Sequence, residues 1–254
     1  MFSLLGKKAA ITGGGSGIGK AISLLFAQQG ADVHIIDLSV ESSAAVAGEI
    51  RTNGGSVSVY ACNVAIQHEV LDTFKKIGPV NIIVNNAGIA QIGKADTTSE
   101  EDFDRIVKVN IKGVYNCLYA GIPQLRNANG GVIINIASVA ALVGIPERFA
   151  YSTAKGAVIA MTLSVAKDYI DERIRCNSVS PARVNSPFVE GFISKNYPGK
   201  EKEVFEKLSK SQPIGRMAEP KEIANLILYL CSDEASFITG CDYPIDGGFT
   251  KLNN

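Results

Sequence analysis

Tyr151 and Lys155 are the two residues whose types and spacing most directly suggest chemistry, in the run Tyr151-Ser152-Thr153-Ala154-Lys155. Four residues apart on a helix, they share one face about one turn from each other. An ammonium beside a phenol favours the phenolate. Two unit charges about 4 Å apart interact by roughly 4 kcal/mol at an effective dielectric near 20. The Tyr151 phenol is therefore expected to titrate below the usual tyrosine range. Such a group can exchange a proton with a substrate hydroxyl or carbonyl. The residues after it, Gly156 to Asp168, are apolar-rich and suit a buried helix.

A second chemical signal lies near the start. Thr12-Gly13-Gly14-Gly15-Ser16-Gly17-Ile18-Gly19 follows a short apolar run and precedes a helical pattern. Strand, glycine turn and helix form the setting of a dinucleotide site. The turn, Gly13, Ser16, Gly17, Ile18 and Gly19, would bring backbone close to a pyrophosphate, and the helix N-terminus offers free N–H groups. Asp37 ends the next apolar stretch, 18 residues after Gly19. An acid there can accept hydrogen bonds from both ribose hydroxyls and would repel a 2′-phosphate. No Lys or Arg lies between Gly13 and Gly19, so NAD is expected rather than NADP.

The elements that must hold these groups alternate. Strand patterns fall at Lys7–Thr12, Ala31–Asp37, Ser56–Ala61, Val80–Val84, Val132–Ala137, Ile174–Ser180 and Phe237–Ile245. Helical patterns fall at Lys20–Gln29, Glu41–Arg51, Gln67–Ile77, the Tyr151 segment and Pro220–Leu230. Another helix starts after Ser99 as N-cap and runs through Asn110 and Tyr119, with Pro123 limiting its end. This rhythm implies an α/β fold: a single-domain, Rossmann-like, doubly wound parallel sheet of seven strands with helices on both faces. Right-handed crossovers then bring every strand's C-terminal end to one rim. Residues 1–254 read as one domain, with 185–212 as a substrate lid in which Phe188, Phe192 and Tyr197 line a pocket or pack against the fold.

Bulk properties exclude several classes. The 254 residues are 46% hydrophobic and 20% charged, enough for a substantial core. Lys+Arg and Asp+Glu balance at 25 each, so no charge excess points to nucleic acid or a membrane surface. Two separated histidines argue against a metal site, and five scattered cysteines suit a reducing compartment. No signal peptide is apparent, and no apolar run approaches a membrane span. A cytoplasmic protein is the expectation.

Five motifs stand in order: TGGGSGIG at 12–19, NNAG at 85–88, Asn110, Ser138 at a strand end and YSTAK at 151–155. In this the chain resembles the short-chain dehydrogenase/reductase family over essentially its full length. The resemblance implies that Tyr151 is the general acid/base and that Lys155 lowers its pKa and binds the nicotinamide ribose. It implies that Ser138 steadies the substrate oxygen and that Asn110 holds a water linking Lys155 to solvent. Asn86, Ala87 and Gly88 would lie along the cofactor, as would Asn63 and Val64 at its adenine end and Val184 and Ser186 at the other. The family usually carries Asp where Asn63 stands; the amide oxygen can still accept from the adenine amine. Its Pro-Gly-x-Val-x-Thr is here Pro181-Ala182-Arg183-Val184-Asn185-Ser186. Homotetramers are common in the family, and the helix of the 150s and the last strand would suit an interface.

Two arginines bear on the substrate, a small molecule in this reading. Arg148 lies three residues before Tyr151, and Arg183 lies in the loop beside the nicotinamide end. Guanidinium suits bidentate capture of a carboxylate. The segments at 180–199 and 228–248 resemble dehydrogenases of 2-keto-3-deoxy sugar acids, notably 2-keto-3-deoxy-L-fuconate. A sugar-derived hydroxy or keto acid is therefore expected, with a polyol or neutral sugar as the alternative. A 3-oxoacyl carrier-protein reductase shares the motifs, but it usually prefers NADP and carries basic residues near the glycine turn. Enoyl-thioester reductases typically separate Tyr and Lys by six.

Overall fold

A computed structural model describes residues 2–252. They build one seven-stranded sheet in the order β3-β2-β1-β4-β5-β6-β7, with every neighbouring pair parallel. The strands are β1 Lys8–Thr12, β2 Asp32–Asp37, β3 Ser56–Ala61, β4 Ile82–Asn85, β5 Gly131–Ile136, β6 Ile174–Pro181 and β7 Asp242–Ile245. A parallel sheet covered on both faces needs apolar side chains on both faces of its central strands. Accordingly Ala9, Ala10 and Ile11 of β1 are all fully buried, as are Ile83 and Val84 of β4. Ala9 and Ile11 join one apolar core with Ile35 and Ile134. Ala10 turns the other way and joins a second core with Ile83 and Ile133.

Helices α1 Gly17–Gln28, α2 Val40–Thr52 and α9 Pro220–Cys231 cover the first face, and α3 Gln67–Ile77, α5 Gly113–Asn127 and α6 Phe149–Asp168 cover the second. Local chemistry sets their starts. Ser39 accepts the Ser42 N–H at the head of α2, and Glu219 with Glu222 forms a capping box at the head of α9. Ser99 accepts the Asp102 N–H before α4 Glu100–Ile106, as its sequence suggests. Between α4 and α5, residues Val107–Lys112 form a π-helical turn, an irregularity often found at functional sites.

Three expectations change. Pro123 does not end α5; it lies in the penultimate turn, on the exposed side. The last strand is shorter than the pattern suggests. Gly240 takes a positive φ of 70° and bends the chain, so Ile238–Cys241 is irregular and β7 begins only at Asp242. One helix, α6, is long and apolar enough to span a membrane by length and composition. Here it packs on β6 and the π turn and carries the buried Lys155, as a core helix does. The region 185–212 contains two helices, α7 Pro187–Asn196 and α8 Glu201–Lys210. The strand ends fix one rim, where Gly13, Asp37, Asn63, Asn86, Ser138 and Arg183 all lie just at or past the C-terminal ends of β1 to β6.

Candidate active site

The glycine turn is built around close backbone approach. Gly13 has φ 65°, and a Cβ there would stand 2.9 Å from the Asn86 amide nitrogen. A Cβ on Gly19 would overlap the Gly13 carbonyl. Thr12, which sequence reasoning missed, ties this turn to the next. Its hydroxyl accepts the N–H groups of Asn86 and Ala87 at 2.9 and 3.0 Å. Asn86 returns two bonds, donating to Thr12 O and Gly13 O at 3.0 and 3.2 Å. Its signal was a lone polar residue closing an apolar strand. Ser16, the N-cap of α1, makes no side-chain cap. The leading N–H groups of α1 therefore keep no side-chain partner, and they face the cleft as an anion-binding end.

Asp37 sits at the end of β2, and its carboxylate accepts the Gly15 N–H at 2.9 Å and the Ser39 N–H at 3.1 Å. Asn63 follows β3. Its amide oxygen already accepts the Ala65 N–H at 3.0 Å, and its own N–H is bound by Glu69. That oxygen has one lone pair left for an adenine amine, and the side-chain NH2 remains a donor. Val64 is buried, and its carbonyl is held by the buried Asn116 amide at 2.8 Å. Nothing in sequence spacing announces Asn116.

Ser138 follows β5 in an extended conformation, and its hydroxyl accepts the Ala140 N–H at 3.1 Å. The Tyr151 phenol lies beside it in the same cavity, near enough for the Ser138 hydroxyl to favour the phenolate. Tyr151 and Lys155 lie on α6 as the spacing requires, with the Lys155 Nζ 5.8 Å from the Tyr151 ring centre. The ammonium donates to Ile136 O at 2.7 Å, and burial brings its pKa down to about 8. The expected effect on the phenol is reversed in this state. Burial pushes Tyr151 above the ordinary tyrosine value, opposed by the Ser138 hydroxyl and by the charges of Arg148 and Arg183. The charges that oppose this rise come from the two arginines, while the Lys155 ammonium is held by Ile136 O.

Asn110 lies in the π turn, fully buried. Its amide closes a two-bond ring with Ile89, accepting its N–H at 2.9 Å and donating to its carbonyl at 2.8 Å. A Cβ on Gly88 would stand 3.3 Å from the Asn110 oxygen and 3.6 Å from Lys155 Nζ, so both groups flank that glycine. The side chain thus braces the loop after β4.

A cavity of about 230 Å³ opens over this rim. Gly13, Ser16, Gly17, Ile18, Asn86, Ala87 and Gly88 line one side. Ser138, Tyr151, Lys155, Val184 and Ser186 line its floor, and Arg148 and Arg183 stand on its wall. Gly19, Asp37, Asn63, Val64 and Asn110 do not line the cavity. Phe188 and Phe192 of α7 line it, whereas Tyr197 packs against Phe192 with ring centres 6.3 Å apart.

Both arginines are half-buried, and burial lowers the pKa of each. No ion pair joins either to a carboxylate among the described residues. Arg148 donates only to Glu147 O and lies 4.7 Å over the Phe192 ring. The Arg183 side chain makes no hydrogen bond to the described residues, although its backbone is fixed by Gln212 and Ala218. Buried cations without anions are costly, and they mark where an anion would be gained.

The residues fit a nicotinamide dinucleotide. Glycines would clear its path, the uncapped helix end would meet the pyrophosphate, Asp37 would hold the ribose, and Lys155 and Tyr151 would lie at the far end. A family model described as enoyl-(acyl carrier protein) reductase matches residues 13–250. The chain is 41% identical to an uncharacterized oxidoreductase of Thermotoga maritima, over 97% of this chain and 98% of that one. It is 38% identical to a 3-oxoacyl-acyl-carrier-protein reductase of the same organism, over 96% and 98%. Its fold matches an L-sorbose reductase from Gluconobacter frateurii, solved with NADPH and L-sorbose, with a TM-score of 0.93, 28% identity and 98% of both chains covered.

Proposed function

Given that the chain belongs to the short-chain dehydrogenase/reductase family and is an oxidoreductase, we propose that it is an NAD-linked dehydrogenase of a secondary alcohol that carries an anionic group. One observation carries the anion: Arg148 and Arg183 line the cavity beside Tyr151, and no carboxylate among the described residues pairs with either. The nicotinamide, when bound, accepts or returns a hydride at the alcohol carbon. Tyr151 takes the hydroxyl proton in oxidation and gives it back in reduction. Ser138 holds the same oxygen, a preorganised donor where charge develops. Lys155, now bonded to Ile136 O, would turn its ammonium to the nicotinamide ribose, and a water near Asn110 would connect it to solvent. The C-terminal resemblance points to sugar-derived acids, so gluconate and 2-keto-3-deoxy acids join aliphatic hydroxy acids in a first screen. Each charge-assisted contact contributes about 1.5–3 kcal/mol. Arg183→Ala and Arg148→Ala should each lower kcat/KM for the acid about 10- to 100-fold, with a neutral analogue far less affected. An unchanged ratio of acid to neutral turnover would remove the anchor.

NAD preference rests on Asp37. A carboxylate about 5 Å from a 2′-phosphate costs about 3 kcal/mol at an effective dielectric near 20, roughly a hundredfold in affinity. Leu38, the next residue, is exposed and supplies no countercharge. Initial rates should favour NAD over NADP by about that factor, and Asp37→Ala should close most of the gap. Equal use of both cofactors by the wild type would refute the assignment.

A further inference from the structure

The side chains lining the cavity fall into two sets. Ser16, Asn86, Lys155 and Ser186 supply the polar groups of the part that a dinucleotide would fill. Beyond it, only Ser138, Tyr151, Arg148 and Arg183 offer side-chain hydrogen-bonding groups. Two of these serve the reacting oxygen and two the anion. Everything between is hydrocarbon: Val139 and Ile145 from the loop after β5, Phe188, Val189 and Phe192 from α7, and Leu208 from α8. The Arg148 guanidinium lies 4.7 Å over the Phe192 ring, so the anion handle and the hydrocarbon wall adjoin there.

A polyhydroxylated body would lose water from each hydroxyl and meet no partner, a cost that repeats per group. Methylene or ring carbons would instead gain from leaving water. Resting on the acid reading above, we propose that the substrate's body is apolar: an aliphatic or aromatic hydroxy acid, or its keto form, rather than a sugar-derived acid. Specificity in this chamber lies with α7 and α8, which supply Phe188, Val189, Phe192 and Leu208.

The test is direct binding to the NAD-loaded protein by calorimetry, with butyrate, hexanoate, octanoate, gluconate and octanamide as probes. Each methylene that enters should tighten Kd about fourfold, and gluconate should bind more weakly than hexanoate, which has the same number of carbons. Phe188→Asn, a change at a half-exposed site, should flatten the chain-length slope. That variant separates the chamber from greasy adsorption elsewhere. Gluconate binding at least as tightly as hexanoate overturns the inference, as does binding with no slope or none at all, or a slope that Phe188→Asn leaves intact. Octanamide binding as tightly as octanoate, with the slope kept, supports the apolar chamber and removes the acid handle of the proposed function instead.

Discussion

Tyr151→Phe should reduce kcat by about 10³-fold or more while leaving NAD binding nearly unchanged. The phenyl ring fills the same space, so the loss isolates the oxygen that carries the proton; positioned proton transfer contributes about 10²–10⁴. The direction of pH dependence follows from the site. Burial raises the Tyr151 pKa, so the cofactor-free phenol is protonated at neutral pH. Reduction needs that proton and should fall as pH rises through the Tyr151 pKa. Oxidation needs the phenolate and should climb over the same range. Arg148→Ala or Arg183→Ala removes a charge that opposes the rise, so each should move the oxidation limb to higher pH. The measurements are kcat/KM against pH in both directions for the three variants. Full activity in Tyr151→Phe, or oxidation limbs that coincide for wild type and both arginine variants, would contradict this account.

Lys155→Met should leave the protein inactive and make its cofactor-free form more stable. Lys155 is buried, and its pKa falls from 10.5 to about 8. The unfolded chain therefore binds the proton more tightly than the folded one between these values. The cost of charging Lys155 in the fold is fully present below about pH 8 and disappears as pH rises toward 10.5. It amounts to about 3 kcal/mol. Loss of the charge-assisted bond to Ile136 O returns about 2 kcal/mol, so a net gain of about 1 kcal/mol remains. For a chain of this length that raises Tm by roughly 2–4 °C at pH 7. Thermal unfolding of wild type and Lys155→Met at neutral and at high pH checks it. A gap that is absent at pH 7, or that does not shrink with pH, would mean that the site holds the ammonium without strain. Activity kept at the expense of stability is a common trade.

The sheet was readable because its strands are short, apolar and punctuated. Every turn after a strand is marked by glycine, asparagine or serine, and β3 and α3 keep their expected bounds. The last strand was overread because Phe237 and Ile238 are β-formers, yet Gly240 bends the chain just after them. The π turn has no sequence signature, since Val107–Lys112 would suit an ordinary helix. In the site, residue types and order placed Ser138, Tyr151 and Lys155 together. Spacing could not reveal where the Lys155 ammonium points, because that depends on a carbonyl of β5, nineteen residues away. Thr12, Asn116 and the hydrocarbon walls act through contacts of 52 to 75 residues in sequence separation or through shape alone, which no local pattern encodes.

The wide turn between α4 and α5 fixes a phase. Upstream, Ile106 packs with Ala150 and Ala154 of α6; downstream, Val114, Cys117 and Leu118 meet the sheet core. A regular helix advances about 100° per residue. Losing one residue from Val107–Lys112 would turn everything beyond it by that angle and swing those three side chains off the sheet. The stretch can exchange many of its letters, but its count is set by the two surfaces it joins.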